Sequence, residues 1–342
     1  MAIVKTLPFG GKGAEIWGLQ SRLFVSHDYT STSGSIIKFH DDSLNYALFT
    51  GTSFTVVKSG MEIKDVTSGT VTKFDLVLDG VKMWSFSGLD MSAAKLLDYY
   101  IAGNSWQVRE LLFAGNDTIT GTAYSDELFG EKGSDKIYGG GGNDILYGGD
   151  GNDTVKGEAG DDALYGNLGR DRLEGGSGND MLYARGGGET LIGGDGVDTV
   201  SYIYEWGGVK ISLASSADNA GGAQGDTYSS IENLRGGAGN DVLIGNSGKN
   251  KIDGGSSSNM LTGGKGADLF VFAKNHYGDT ITDFTDDVDR IDLRSYDFAS
   301  ASSVLDKAVQ VHGDVEIRMS RLSVLTLKDF SKANLDAGDF LL

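Results

Sequence analysis

Between residues 112 and 201 an acidic residue returns at every ninth position: Asp117, Asp126, Asp135, Asp144, Asp153, Asp162, Asp171, Asp180, Glu189 and Asp198. A second run, 236–271, carries Asp241 and Asp268 on the same spacing, with Asn250 and Asn259 between them. Basic partners are scarce, with 29 Lys and Arg against 48 Asp and Glu and a net charge of −19. Carboxylates spaced this regularly, without cations of their own, are poor material for ion pairs. They offer rows of hard oxygen donors, and multivalent cations are their natural counter-charge.

The residues between the acids say what must position them. Numbered from Leu112, the acid is sixth in a nine-residue unit, and ten units run to Ser201 without a gap. Four more run from Gly236 to Val271. The eighth residue is large and apolar in all fourteen units, from Ile119 and Leu128 to Leu261 and Phe270. Gly occupies the first position in twelve units and the fourth in twelve, the latter including Gly133, Gly142, Gly151, Gly160, Gly169, Gly178, Gly196 and Gly239.

The pattern reads GGxGxDxUx, with U a large apolar residue, and it resembles the calcium-binding nonapeptide repeat of the RTX family of secreted bacterial proteins. The likeness covers 126 residues in the two blocks. It implies that the first six residues of a unit turn, that the last three form a strand, and that two units complete one coil of a parallel β-roll. The expected fold is therefore all-β dominated. A calcium-stabilised parallel β-roll in two repeat blocks would carry a small mixed β/α N-terminal cap and a β-rich C-terminal cap. The eighth side chain would point inward, and Gly at positions one and four would permit positive φ and close packing.

Such a roll gains too little from apolar burial. One buried aliphatic side chain contributes roughly 1.5–3 kcal/mol, whereas ordering nine backbone residues costs roughly 9–18 kcal/mol. Coils about 4.8 Å apart also bring same-side carboxylates to about 5 Å, where they repel by about 3 kcal/mol at an effective dielectric near ~20. The metal-free roll is expected to be largely unfolded. Calcium reverses the sign, because it accepts about six to eight oxygen ligands in flexible geometry. One Asp, the next Asp on the same side and main-chain carbonyls of the glycine-rich turns would supply them. Magnesium demands a near-ideal octahedron and keeps its waters, and zinc and copper prefer imidazole or thiolate, which the repeats lack. Binding and folding then become one event, at the roughly 0.1–1 mM calcium typical of extracellular modules.

Five segments are expected: a β-rich cap with short helices at 1–111, block I at 112–201, a β-loop insertion at 202–235, block II at 236–271, and a C-terminal cap with secretion signal at 272–342. In the first, 53–86 alternates as strands do and 89–104 reads as a helix. The insertion reads as one alternating strand, a loop and a return. Weaker or absent calcium sites are expected where Glu189, Asn250 and Asn259 replace Asp. Asp286, Asp287 and Asp289 form an acidic loop that could bind one more calcium.

Charge and composition exclude several classes. A chain this acidic repels nucleic acid, it has no cysteine, and no apolar run is long enough to span a membrane as a helix. The N-terminus lacks the apolar run of a secretory signal. The last residues, Asp339-Phe340-Leu341-Leu342, resemble the uncleaved signal of type I secretion substrates, which makes that secretion apparatus a partner. Neither H-E-x-x-H nor G-x-S-x-G occurs, so no enzyme is expected. The reading is a secreted calcium-binding protein acting in surface or matrix adhesion or structural binding. The alternative is a protein that binds or modifies a cell-surface or extracellular polysaccharide, through Tyr138, Tyr147, Tyr165 and Tyr183.

Overall fold

In the computed structural model, residues 115–342 are described apart from 122 and 275, and before residue 115 the backbone of six strands is described. The chain forms two compact units, Met1–Tyr165 and Gly166–Leu342. It is an all-β, parallel β-roll protein, with Ala301–Leu305 as the one α-helix among the described residues.

In the first unit, Asp28–Ser33, Ile36–His40, Tyr46–Ser59, Glu62–Leu78 and Val81–Ser92 pair antiparallel in succession. Ile3–Thr6 lies between Val81–Ser92, antiparallel, and the first repeat strand, Thr118–Thr120, parallel, with Val4 opposite Ile119. An open solenoid end exposes unpaired backbone and apolar surface, and this strand covers it. The helix expected over 89–104 lies outside the described residues beyond Ser92. Leu89–Ser92 close the strand Val81–Ser92.

The repeats coil with an 18-residue register. Ile119, Ile137 and Val155 stack in one sheet and Leu128 and Leu146 in another. All five are 0% exposed, so the eighth position is the core. The strands are longer than three residues. Glu127–Lys132, Lys136–Gly141, Ile145–Asp150 and Thr154–Ala159 run from position seven through position three of the next unit. At position two the backbone takes positive φ (Glu131, 72°; Gly149, 112°). That bend skips Gly148 and restores pairing at Gly149↔Glu131 and Asp150↔Lys132. The turn shrinks to positions four to six.

The second unit has three parallel stacks. Arg172–Ser177 and Thr190–Asp195 are joined by Thr227–Ser229. Met181–Tyr183, Thr199–Ser201, Asn233–Arg235, Lys251–Asp253, Leu269–Val271 and Arg290–Asp292 form the longest stack, and Phe340–Leu341 is added to its end. Lys210–Ser212, Val242–Ile244, Met260–Thr262, Thr280–Ile281 and Val324–Leu327 form the third. Segment 202–235, expected as one strand, a loop and a return, thus gives one strand to each stack. Antiparallel strands Asp314–Arg318 and Ala308–Val311 finish the third stack.

Candidate metal centre

The sixth and eighth residues of a unit point to the same side of an extended chain, so the acid turns inward with the core residue. Asp135 and Asp144 are 1% exposed and Asp198 is 0% exposed. One carboxylate oxygen closes the coil. The main-chain N–H of Asp117 donates to Asp135 Oδ1 (2.7 Å), and that of Asp135 to Asp153 Oδ1 (2.7 Å). On the other side Asp126 N–H donates to Asp144 Oδ1 (2.7 Å) and Asp144 N–H to Asp162 Oδ1 (2.8 Å). In the second unit Asp180 N–H donates to Asp198 Oδ1 (2.8 Å), and Asp171 is buried at the same position.

The second oxygen has no such partner. Oδ2 of Asp135, Asp144, Asp198 and Asp268 is buried and meets no hydrogen-bond donor. Burial pushes the Asp144 carboxyl up to about 8 and that of Asp135 up to about 7. Neighbouring carboxylates add to the shift, and the main-chain N–H opposes it. Asp153, Asp198 and Asp268 are pushed up to about 6, again by burial first. Burial also raises Asp162 and Asp241. A buried anionic oxygen without a donor must be neutralised, by a proton or by a cation.

The surroundings are oxygen-rich. A Cβ on Gly151 would stand 1.6 Å from the carbonyl oxygen of Gly133, and one on Gly196 1.7 Å from that of Gly178. Both glycines also have φ near 140° (139° and 144°), so these two turns need Gly twice over. Gly133, Gly142, Gly160, Gly169 and Gly178 share the positive φ, and Gly239 is held by space alone, since a Cβ there would lie 2.3 Å from Gly208 N. Position one was expected to use positive φ. Its constraint is instead room for the acid, since a Cβ on Gly139 would lie 2.2 Å from Asp144 Oδ2. Among the described residues no three acidic or imidazole side chains are placed to hold one metal ion by themselves. The carboxylates arrive one per turn, so a cation there would take its remaining oxygens from carbonyls, a donor set that suits calcium.

Several members of the ladder were not expected from the repeat. Glu189 N–H donates to Asp226 Oδ1 and Asp198 N–H to Glu232 Oε2, across 37 and 34 residues. Asn259 N–H donates to Asp279 Oδ1 across 20. Position five carries a second ladder, in which Ser134 N–H donates to Asn116 Oδ1 (2.7 Å) and Asn143 N–H to Ser125 Oγ (3.0 Å). The Ser and Asn residues at that position were its signal.

Block II departs further. Val209 N–H donates to Asp241 Oδ1, and Asp241 Oδ2 accepts from Gly237 N–H, both at 2.8 Å. Asn250 Nδ2 donates to the Glu232 carbonyl at 2.7 Å. Asn259 Nδ2 donates to Asp279 Oδ1 at 2.8 Å, while Asp279 Oδ2 lies 2.9 Å from His276 Nδ1. Asp268 N–H donates to Asp289 Oδ1, and Asp289 Oδ2 accepts from Thr285 N–H, both at 2.9 Å. Asp289 therefore extends the ladder, whereas half-buried Asp286 acts electrostatically on Asp339.

Two family models match the repeats and the segment that follows them. The family model described as RTX calcium-binding nonapeptide repeat matches residues 113–146, 138–173 and 165–200. The model described as Peptidase M10 serralysin C terminal matches residues 194–334. No curated protein matches. Among solved structures, the crystal structure of extracellular lipase LipA from Serratia marcescens is similar at 22% identity and TM-score 0.34. The likeness covers 62% of this chain, which spans 40% of the length of that one. With its nonapeptide coils, its inward acids and both family models in place, the chain belongs to the RTX family of secreted bacterial calcium-binding repeat proteins.

Proposed function

We propose that this chain is a calcium-folded binding module that acts outside the cell in surface or matrix adhesion. The observation that carries the reading is the set of buried carboxylate oxygens on Asp135, Asp144, Asp198 and Asp268 that meet no donor. A cation bridging same-side turns satisfies them and removes the repulsion between neighbouring acids. Each ion would draw on two carboxylates and on the carbonyls of the glycine turns. Export through a type I apparatus suits a chain that stays unfolded at cytosolic calcium and folds on release. The module binds and does not catalyse. Calorimetric titration of the metal-free protein with calcium, with circular dichroism read in parallel, tests this. Ion uptake and gain of β structure should coincide, and β structure complete before any ion binds would refute it.

A polysaccharide ligand is favoured by one further observation. Phe129, Tyr147 and Tyr165 stack with ring centroids 4.6 Å apart, at interplanar angles of 7° and 18°. In the second unit Tyr183 packs against Tyr204 at 5.8 Å, and Trp206 nearby in sequence is 85% exposed. The stacked rings cover one another's faces, whereas the exposed indole of Trp206 is free to lie against a sugar ring. Tyr138 lies on a strand of the other sheet, Lys136–Gly141, and does not join the stack. Binding to a glycan array that is lost in Tyr147→Ala and Trp206→Ala would establish this ligand, and unchanged binding would remove it.

A further inference from the structure

The insertion brings acids to the one repeat turn of block I that lost its Asp. Unit 184–192 has Glu189 at the sixth position. Its strand Thr190–Asp195 pairs in register with Thr227–Ser229, Thr190 opposite Thr227. Glu189 N–H donates to Asp226 Oδ1 at 2.7 Å, the bond that elsewhere joins one repeat acid to the next. The reason is in the sequence, where 221–229 reads GGAQGDTYS, a repeat with its fourth and fifth residues exchanged.

Both acids are buried, Glu189 at 1% and Asp226 at 0% exposed. Asp226 is well served, because its Oδ2 accepts from the Tyr202 hydroxyl, itself 2.6 Å from that of Tyr228. Glu189 is not. Its Oε1 accepts only a long bond from Arg185 N–H (3.2 Å), and its Oε2 is buried and meets no donor. The charges that act on it, those of Asp226, Asp171 and Glu205, are all negative. The carbonyl oxygens of Gly225 and Gln224 face the same turn, 3.7 and 3.8 Å from where a Cβ on Gly188 would stand. Glu205 packs its carboxylate against Gly222, within the insertion.

We propose that a hard divalent cation, calcium by its donors, binds between Glu189 and the Gln224–Asp226 turn, with Glu205 contributing charge. The site is assembled by the insertion instead of by two repeats. The donors are oxygens only, and carboxylate and carbonyl together are the set calcium prefers. The ion would fasten the insertion onto the coil beneath it. This inference rests on the calcium reading of the repeats, and the test separates the two.

Crystals of the full chain grown in calcium are exchanged with terbium and examined by anomalous diffraction. A peak within coordination distance of Glu189 Oε2, together with peaks at the Asp135 and Asp144 turns, is expected. Peaks at those turns with none at Glu189 would overturn this inference and leave the repeat reading intact, and peaks at neither would overturn both. In solution, Glu189→Gln should lower the calorimetric calcium stoichiometry by one ion while far-ultraviolet dichroism in calcium stays unchanged. Glu205→Gln should weaken that ion without removing it. Unchanged stoichiometry in folded Glu189→Gln would contradict the proposal and mark Glu189 as a buried neutral acid.

Discussion

Blocks I and II meet the same electrostatic problem differently. In block I nearly every turn presents an Asp, and the second oxygens of Asp135, Asp144 and Asp198 are buried without a donor. In block II two of four turns present Asn, whose amide supplies the missing donor. Asn250 Nδ2 reaches the Glu232 carbonyl and Asn259 Nδ2 reaches Asp279, whose other oxygen meets His276. Asn removes a charge and adds a hydrogen-bond donor in one substitution. Block I is therefore built to wait for a cation, and the Asn turns of block II close with the chain's own atoms. The same backbone can be calcium-dependent or self-sufficient, decided at one atom per turn.

The largest test of the contrast is steric. Gly151→Ala places a Cβ 1.6 Å from the Gly133 carbonyl at φ 139°, and should destabilise the calcium-loaded protein by about 4 kcal/mol or more. Gly248→Ala, at the same repeat position in block II, meets only the Asn246 side chain at 3.1 Å, and should cost less than about 1 kcal/mol. Thermal melts in calcium compare the two, and equal losses would break the contrast.

Exchanging the acids and amides should come next. Asp144→Asn should raise the calcium concentration at half-folding by about tenfold, equivalent to about 1.4 kcal/mol. Asn250→Asp removes the donor to the Glu232 carbonyl and adds a buried charge, so hydrogen exchange over 245–253 should become calcium-dependent. Insensitivity of that segment would show that the amide is not what frees the Asn250 turn from the metal.

The last test is of pH, in the metal-free protein alone. In the metal-free fold the carboxyls of Asp135, Asp144, Asp153 and Asp198 rise from 3.8 to about 7, 8, 6 and 6. A folded value above the unfolded one favours the fold only while the group is protonated. That stability is present below about pH 4 and is lost as pH rises through 6 to 8. In chelator, β structure should therefore be greater at pH 4 than at pH 8. The opposite trend, or none, would mean that these acids are not buried in the metal-free fold.

Much of this was legible in the sequence, because a nine-residue period fixes both the core and the acids. Leu146 and Asp144 sit where that period puts them. Where the ladder leaves the period, it could not be read. Asp226, Glu232 and Asp279 join it across 37, 34 and 20 residues instead of 18, and only backbone pairing sets those distances. The length of the repeat strands was missed because Glu131 takes a positive φ that its side chain does not advertise. The first glycine departs from its expected role for a related reason. Its constraint is the Asp five residues later, a packing fact that propensity does not carry. Pairing of Ile3–Thr6 with Thr118–Thr120 joins residues too far apart in sequence for any local pattern to show.

The most direct measurement is hydrogen exchange of the full chain, followed by mass spectrometry, in millimolar calcium and in excess chelator. Strands from Thr118–Thr120 to Thr199–Ser201 should be protected with calcium and exchange rapidly without it, while Lys251–Asp253 and Met260–Thr262 keep part of their protection. Equal protection of the block I strands in both conditions would contradict the claim that these carboxylates need a cation to fold.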